Sequence, residues 1–489
     1  MEINGMNIHK PLFVILYTVL FAVCHAAERP DAAENPNIIL FIGDDISWDD
    51  FGCYGHPSIQ TPNIDKLAAN GIRFTNAYLT SPQCSPTRTS VISGRYPHNT
   101  GAPELHQPLP EGQPMFPLEL KNAGYHTAAS GKWHMGEHAK TAFDKVLVDR
   151  SRSGSEGWVK HLQERPKDKP FFMWFDSRDA HRPWDSNGKH HQPSDAVIPP
   201  YMADMDGTRE DLARYYDEVR NLDQNVGLVV QELEKQKVSD NTIIIFMADN
   251  GRPFPRDKTW LYDGGIKMPF IVYWLREVDK AGETSSSLVS AIDIAPTILE
   301  MAGLKSPEGF QGVSMIPVLM DPEATIRNYA FAERNWHDTE GHMRMVRHKQ
   351  WTYIRNARPE RAALAPAQLN ELSYLDLLAL KRDGKLTAVQ ANIFQEPRPA
   401  EELFDVDADP HQLDNLADKP EFAGIMADLR NVMDEWQERT GDTVPKVLTP
   451  DNIDRKTGQR LGPWNKPNRG TIPGSERNAT TLNDPGPRL

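Results

Sequence analysis

Thr242-Ile243-Ile244-Ile245-Phe246-Met247-Ala248-Asp249-Asn250-Gly251 is the stretch that decides the fold. Its uncharged run from Thr242 to Ala248 reads as a strand covered on both faces, and such strands belong to mostly parallel sheets. The run stops at Asp-Asn-Gly, which taken alone is only a turn. Upstream, Leu212, Tyr216, Val219, Leu222, Val226, Val230 and Leu233 recur at helical spacing between Arg209 and Lys237. Before that helix comes a second apolar strand, Phe171-Phe172-Met173-Trp174-Phe175. Strand, helix and strand in this order make a βαβ unit.

Moving outward, Ile38-Ile39-Leu40-Phe41-Ile42 is a third apolar strand, stopped by Gly43 and then Asp44-Asp45. Thr61 to Leu79 reads as a helix and an extended piece, and Leu118 to Ala123 as a short helix. Tyr125 to Ser130 is a strand followed by Gly131-Lys132-Trp133-His134, and Pro269 to Trp274 is another strand. Ala291 to Ala302 reads as a helix. The fold expected is α/β, with a large mixed, mostly parallel sheet sandwiched by helices. The character changes near Asn328. Tyr329-Ala330-Phe331 and Trp351-Thr352-Tyr353-Ile354 suggest a smaller antiparallel sheet, and Pro420 to Arg439 a closing helix. Leu403-Phe404-Asp405 leads into a turn at Asp409-Pro410. The expected organisation is a main domain over 28–327, an α+β subdomain over 328–445 and a proline- and glycine-rich tail over 446–489, wrapped or loose.

The formal charge of −14 argues against a nucleic-acid binder, but a local basic pocket for a small anion remains compatible with it. Residues 1–27 read as a cleaved export signal, with Lys10 before the apolar run Pro11 to Val23, then Ala26 and Ala27. The expected location is therefore periplasmic or secreted, without stable membrane insertion; a lipid anchor on Cys24 is the lesser reading. The mature chain keeps Cys53 and Cys84, which leaves one disulfide open but makes no disulfide scaffold.

Cys84 lies in Pro82-Gln83-Cys84-Ser85-Pro86-Thr87-Arg88. Ser85 before Pro86 reads as a helix N-cap, which puts Cys84 just outside a helix N-terminus, where free N–H groups favour an anion. Arg88 follows one turn later, on a face that looks back at Cys84. Alone, this is a buried cysteine beside a capped helix.

Four strands, however, deliver polar residues at their carboxyl ends: Asp44-Asp45, Lys132 with His134, His181, and Asp249-Asn250. In an open parallel sheet those ends face one crevice. Three carboxylates and an amide oxygen suit Ca²⁺ or Mg²⁺, and Ca²⁺ tolerates irregular coordination better. Arg88, Lys132, His134, His181 and Lys258 add cations and proton carriers. Such a pocket suits a multiply charged oxyanion ester.

At these residues the chain resembles the type I sulfatases of the alkaline phosphatase superfamily. The resemblance runs from about Asn37 to about Arg439 and rests first on Cys84-Ser85-Pro86-Thr87-Arg88 with Ser93-Gly94-Arg95. Ile92 stands where leucine is more usual. Gly131-Lys132-Trp133-His134, Asp249-Asn250-Gly251, Tyr262-Asp263-Gly264-Gly265 and Glu402-Leu403-Phe404-Asp405 with Asp409-Pro410 also carry it. It implies an alkaline phosphatase-like fold with a small C-terminal antiparallel sheet and helix. It implies that a formylglycine-generating or sulfatase-maturating enzyme oxidises Cys84 to formylglycine (3-oxoalanine), whose hydrate is the nucleophile. Asp44, Asp45, Asp249, Asn250 and the converted Cys84 would hold one Ca²⁺, and Arg88 would steady the hydrate. Lys132 and Lys258 would bind sulfate, His181 would protonate the leaving group, and His134 would take the hydrate's second proton. Lys258, four residues before Tyr262, fits the family's sulfate-binding lysine better than Lys267.

Further stretches resemble the sulfamidase branch, the N-sulfoglucosamine sulfohydrolases: Asp211 to Gln224, Gly227 to Leu233, Pro253-Phe254-Pro255, His106-Gln107 and Asp179-Ala180-His181-Arg182. Lys258 departs from that branch, where arginine is expected and lysine is the choice of O-sulfatases. The expectation is an O-sulfatase acting on a sulfated oligo- or polysaccharide, related to that branch. An N-sulfatase, a phosphonate or phosphodiester hydrolase and an inactive sugar-binding homologue are the alternatives. His98, Glu104, His106, Arg182 and Lys267 are the candidate substrate contacts.

Overall fold

The computed structural model describes residues 35–184, 190–276, 282–361, 369–455, 458–462 and 469–488, so the expected export segment 1–27 lies outside it. The main sheet contains β1 (Asn37–Gly43), β2 (Ile72–Phe74), β4 (His126–Gly131), β5 (Lys145–Val148), β6 (Phe171–Asp176), β7 (Thr242–Ala248), β8 (Phe270–Tyr273) and β9 (Thr284–Ser285). Their order is β5-β4-β6-β1-β7-β8-β2-β9. The run from β5 through β4, β6 and β1 to β7 is parallel throughout. β8 is antiparallel to both β7 and β2, which makes the sheet mixed. β3 (Ala77–Tyr78) and β10 (Val289–Ser290) form a separate parallel pair.

The central strand explains the layering. Side chains alternate across a strand, so Ile38, Leu40 and Ile42 of β1 join one core with Val91, Ile92, Ile294 and Ile298. Ile39 and Phe41 join the opposite core with Leu212, Val219, Leu222 and Val226 of the long helix Asp206–Gln236. One face of the sheet thus carries that helix, and the other carries the helices Cys84–Ser93 and Ile294–Met301.

A second, antiparallel sheet follows: β11 (Ala330–His337), β12 (Thr339–His348), β13 (Trp351–Asn356) and β14 (Glu401–Asp405). It is larger than the two strands read from the sequence. β12 carries His342, Arg344 and Arg347, all buried, so its pattern does not look like a core strand. Arg344 reconciles the charge with burial by forking onto Asp442 at 2.7 Å through both Nε and Nη2. The helix Ala423–Thr440 packs against this sheet, with Trp436 stacked on Phe331 at a centroid distance of 4.9 Å and edge-on to Tyr96 at 5.2 Å.

The C-terminal segment folds back to meet Arg95, just past the helix Cys84–Ser93. Arg95 donates to Asn483 Oδ1 at 2.8 Å and to the Leu482 carbonyl at 2.7 Å. Among the described residues no helix is long and apolar enough to cross a membrane. Trp436 joins both sheets' surroundings in one aromatic cluster, so Trp436→Ala is expected to destabilise the protein by about 3–5 kcal/mol in chemical denaturation.

Candidate active site

Strand order builds the site. β4, β6, β1 and β7 are four adjacent parallel strands, so their carboxyl ends share one rim. The loops that leave them are stitched together. Asp44 N–H donates to the Asp179 carbonyl at 3.0 Å, and Asp249 N–H to the Gly43 carbonyl at 3.0 Å. Asp45 N–H donates to Asp249 Oδ1 at 3.1 Å. Gly251 packs so closely that a Cβ there would lie 1.8 Å from the Gly264 carbonyl oxygen.

The helix bearing Cys84 begins two residues earlier than the sequence suggested. Gln83 is the N-cap, Cys84 the first helical residue, and Pro86 the third. Proline is tolerated there because first-turn N–H groups have no partner inside the helix. Ser85 is freed from capping, and its Oγ accepts a hydrogen bond from His106 N–H at 2.8 Å. Cys84 is therefore inside the first turn and buried, packed against Leu105 and Trp336.

The predicted metal and nucleophile residues converge. Cys84 Sγ lies 3.9 Å from Oδ1 of both Asp44 and Asp45. Lys132 Nζ is 2.5 Å from Asp44 Oδ2. Lys258 Nζ donates to both Asp45 oxygens at 2.6 and 2.7 Å. Asn250 Nδ2 donates to Asp45 Oδ1 at 2.8 Å, while its buried Oδ1 has no hydrogen-bond partner among the described residues. Arg88 is held from two sides, donating to Asp176 at 2.7 and 2.9 Å and lying 3.0 Å from Asp249. Asp176, the last residue of β6, escaped the sequence reading, although an apolar strand ending in a carboxylate was the available signal.

These groups strain one another's ionisation. Burial pushes Asp249 up to about 6, with Asp44 adding to it, against the pull of Arg88. Burial pushes Asp176 up to about 7 in the same way, again against Arg88. Burial would also raise Asp45, but Lys258 overcomes it and holds that carboxyl well below the usual range. Burial, helped by Asp249 and Asp45, raises the Cys84 thiol to about 12 despite Lys132 and Lys258. An unmodified Cys84 is a poor nucleophile at neutral pH. His134 is pushed well below its ordinary value, first by burial and then by Lys132, which leaves a neutral imidazole. His181 is exposed at the rim, with Nδ1 2.5 Å from the Arg182 carbonyl oxygen.

The remaining candidates divide. His106 joins the site, its Nδ1 2.5 Å from His134 Nε2. Arg182 is turned inward instead, forked onto Asp211 at 2.8 Å and bonded to Glu371 at 2.8 Å, with Trp184 beneath its guanidinium. His98 is buried against Glu333 at 2.8 Å, and Glu104 accepts from Arg469 and Thr449. Lys267 sits 3.9 Å above the Trp48 ring. Each of these four side chains is thus engaged by a partner outside the Cys84 cluster. Cys53 and Cys84 are both free thiols. Among the described residues a second cluster with ligand-like spacing, His98, Glu333 and Asp442, already has Arg344 as its cation.

Comparison with known proteins follows the same lines. The family described as Sulfatase matches residues 36–155 and 152–304. The family described as N-sulphoglucosamine sulphohydrolase, C-terminal, matches residues 254–364. An ulvan-active sulfatase of Formosa agariphila is 31% identical, covering 84% of this chain and 76% of its own. The human N-sulphoglucosamine sulphohydrolase is 30% identical, covering 92% of this chain and 97% of its own. A structure solved in complex with its substrate D-glucosamine-2-N,6-O-disulfate shares the fold, with a TM-score of 0.66 at 22% identity, covering 83% of this chain and 98% of that one.

Removing Arg88 leaves Asp176 and Asp249 buried and unpaired. Arg88→Gln is expected to destabilise the protein by about 3–5 kcal/mol, and adding Asp176→Asn to recover part of that loss, both read from denaturation midpoints.

Proposed function

The chain belongs to the sulfatase family, in its sulfamidase-like branch, and is a sulfuric ester hydrolase; we propose that it is an exported enzyme that removes sulfate esters from a sulfated oligo- or polysaccharide. In this reading Cys84 is converted to formylglycine by a maturating enzyme, and one Ca²⁺ is bound. The observation that carries it is the Cys84 Sγ position, 3.9 Å from both the Asp44 and Asp45 carboxylates at the rim of the sheet.

The residues fit both groups. Four buried carboxylates, Asp44, Asp45, Asp176 and Asp249, face three buried or nearly buried cations, Arg88, Lys132 and Lys258, so a divalent cation answers the excess charge. Asn250 Oδ1, buried without a partner among the described residues, completes an all-oxygen donor set with Asp44, Asp45 and Asp249. When present, the hydrated aldehyde supplies an oxygen nucleophile that can later expel sulfate, and Ca²⁺ supplies Lewis-acid polarisation. Lys132 and Lys258 offer positive charge to the sulfuryl oxygens, most usefully as charge develops. Arg88, fixed by Asp176, orients residue 84. Neutral His134 serves as base, and His181, whose Nδ1 is engaged, presents its other nitrogen to the leaving group.

Lys258 favours an O-sulfate, because O-sulfatases use lysine where the sulfamidase branch is expected to hold arginine. The match of residues 254–364 to the sulphohydrolase C-terminal family supports N-sulfate as the second reading. The division into a main domain over 28–327, a subdomain over 328–445 and a tail over 446–489 belongs to this proposal, as does a cleaved signal over 1–27.

In protein from the native host, mass spectrometry of the Cys84 peptide is expected to show the aldehyde; an intact thiol overturns the mechanism. Cys84→Ala is expected to abolish sulfate release while leaving the melting temperature close to wild type, and retained turnover places the nucleophile elsewhere. Chelation is expected to lower both turnover and melting temperature, with Ca²⁺ at a hundred times its Kd returning about 2.7 kcal/mol of stability. Ion chromatography of sulfate released from O- and N-sulfated oligosaccharides then decides between the two substrates.

A further inference from the structure

His134 reaches the site with its two nitrogens in different surroundings. Nδ1 is buried with no hydrogen-bond partner among the described residues, and Lys132, Arg88 and Asp44 are charges around the ring. Nε2 lies 2.5 Å from Nδ1 of His106, with ring centroids 4.6 Å apart. His106 is itself held firmly. Its backbone sits in the left-handed region at φ 66°, and its N–H donates to Ser85 Oγ at 2.8 Å. The turn around it closes through Gln107 N–H to the Glu104 carbonyl at 3.1 Å and Glu104 N–H to Gln107 Oε1 at 2.9 Å. Glu104 is anchored in turn by Arg469 at 2.8 Å.

A contact between two neutral imidazoles holds one proton, so one ring donates and the other accepts. If His106 donates, His134 must carry its own proton on Nδ1 and has no lone pair left for the site. If His106 accepts, His134 is protonated on Nε2 and its Nδ1 lone pair is available. We propose that His106 is a positioning residue whose Nδ1 accepts from His134 Nε2–H, fixing His134 as the tautomer whose Nδ1 can take a proton in the crevice. This rests on the proposed role of His134 as the base. Ser85, inside the Cys84 motif, then has a role of its own, because its Oγ places the residue that sets the tautomer of the base. A partner group that orients a working histidine acts in the same way in acid–base catalysis generally.

Asparagine is the informative substitution at residue 106. It tolerates positive φ better than most residues, and its Oδ1 sits at the same δ position off Cγ as the histidine Nδ1, so it can accept the same bond. Leucine keeps bulk and removes the acceptor. In full-chain protein labelled with ¹⁵N-histidine and with Cys84 unconverted, long-range ¹H–¹⁵N correlation is expected to show His134 as the Nε2–H tautomer in wild type and in His106→Asn. In His106→Leu the two tautomers are expected to mix. In the converted enzyme His106→Leu is expected to lower kcat by about ten- to a hundred-fold with KM changed by less than about twofold, and His106→Asn to recover most of it. A wild-type His134 protonated on Nδ1 overturns the proposal, as does an unchanged tautomer in His106→Leu. So does a His106→Asn kcat as low as that of leucine, or a raised KM at unchanged kcat, which makes His106 a substrate contact. Absence of sulfate release from wild type, with the expected tautomers, sinks the proposed function and leaves the positioning role standing.

Discussion

Three adjacent strands end in buried carboxylates, and the Arg88 guanidinium binds two of those ends together. Asp176 closes β6 and Asp249 follows β7, with β1 and its Asp44-Asp45 pair between them. Taking such charges out of water costs several kcal/mol for each ion unless partners replace the solvent. Arg88 comes from the helix on one face of the sheet, so its ion pairs also fix that helix, and with it residue 84, against the rim. Lys132 and Lys258 do the same for Asp44 and Asp45 from the loops after β4 and β7. The site is thus a charge network before it is a pocket, and each cation ties one helix or loop to the rim.

The second sheet completes this arrangement. Leu105 N–H donates to the Trp336 carbonyl at 3.0 Å, and Glu333 N–H donates to the Thr80 carbonyl at 2.9 Å, so β11 is laced to the segments on both sides of Cys84. Two motifs far apart in the sequence meet here: Tyr262 donates its hydroxyl to Glu402 Oε1 at 2.8 Å. The segment from Tyr262 to Gly265 and the strand β14 are therefore one joint between the sheets. Trp336 packs on Cys84, and it lies in a strand of which the sequence pattern reveals only the first residues.

What is legible in the sequence follows from where burial leaves a signature. Apolar runs that stop abruptly at Asp announce β1, β6 and β7, and the glycine-bracketed Lys132 and His134 mark the end of β4; with these comes most of the site. Their adjacency is not legible, because strand order depends on crossovers that composition does not encode. Arg182, His98, Glu104 and Lys267 look like reaching side chains because they are polar and near motifs. Each is satisfied internally, by Asp211, by Glu333, by Arg469 and by the Trp48 face respectively. β12 escapes the pattern for the same reason in reverse: its arginines are buried, and a buried ion pair leaves the sequence looking like surface. The helix start at Cys84 shifts by two residues because Ser-Pro is a strong capping signal locally, while Ser85 is engaged by His106 from elsewhere.

Placing Cys84 inside the first turn bears on what residue 84 can be. A cysteine there would ordinarily have its thiolate favoured by free N–H groups. Here full burial, helped by Asp249 and Asp45, reverses the effect and raises the thiol to about 12. The pocket therefore disfavours sulfur as an anion while its oxygen donors and cations suit a hard ligand and a hard metal. An unmodified thiol is thus hard to ionise here, even with Lys132 and Lys258 pulling the other way. An oxygen in its place, the chemistry proposed for residue 84, would sit among Asp44, Asp45 and Lys258 with its charge shared by a cation.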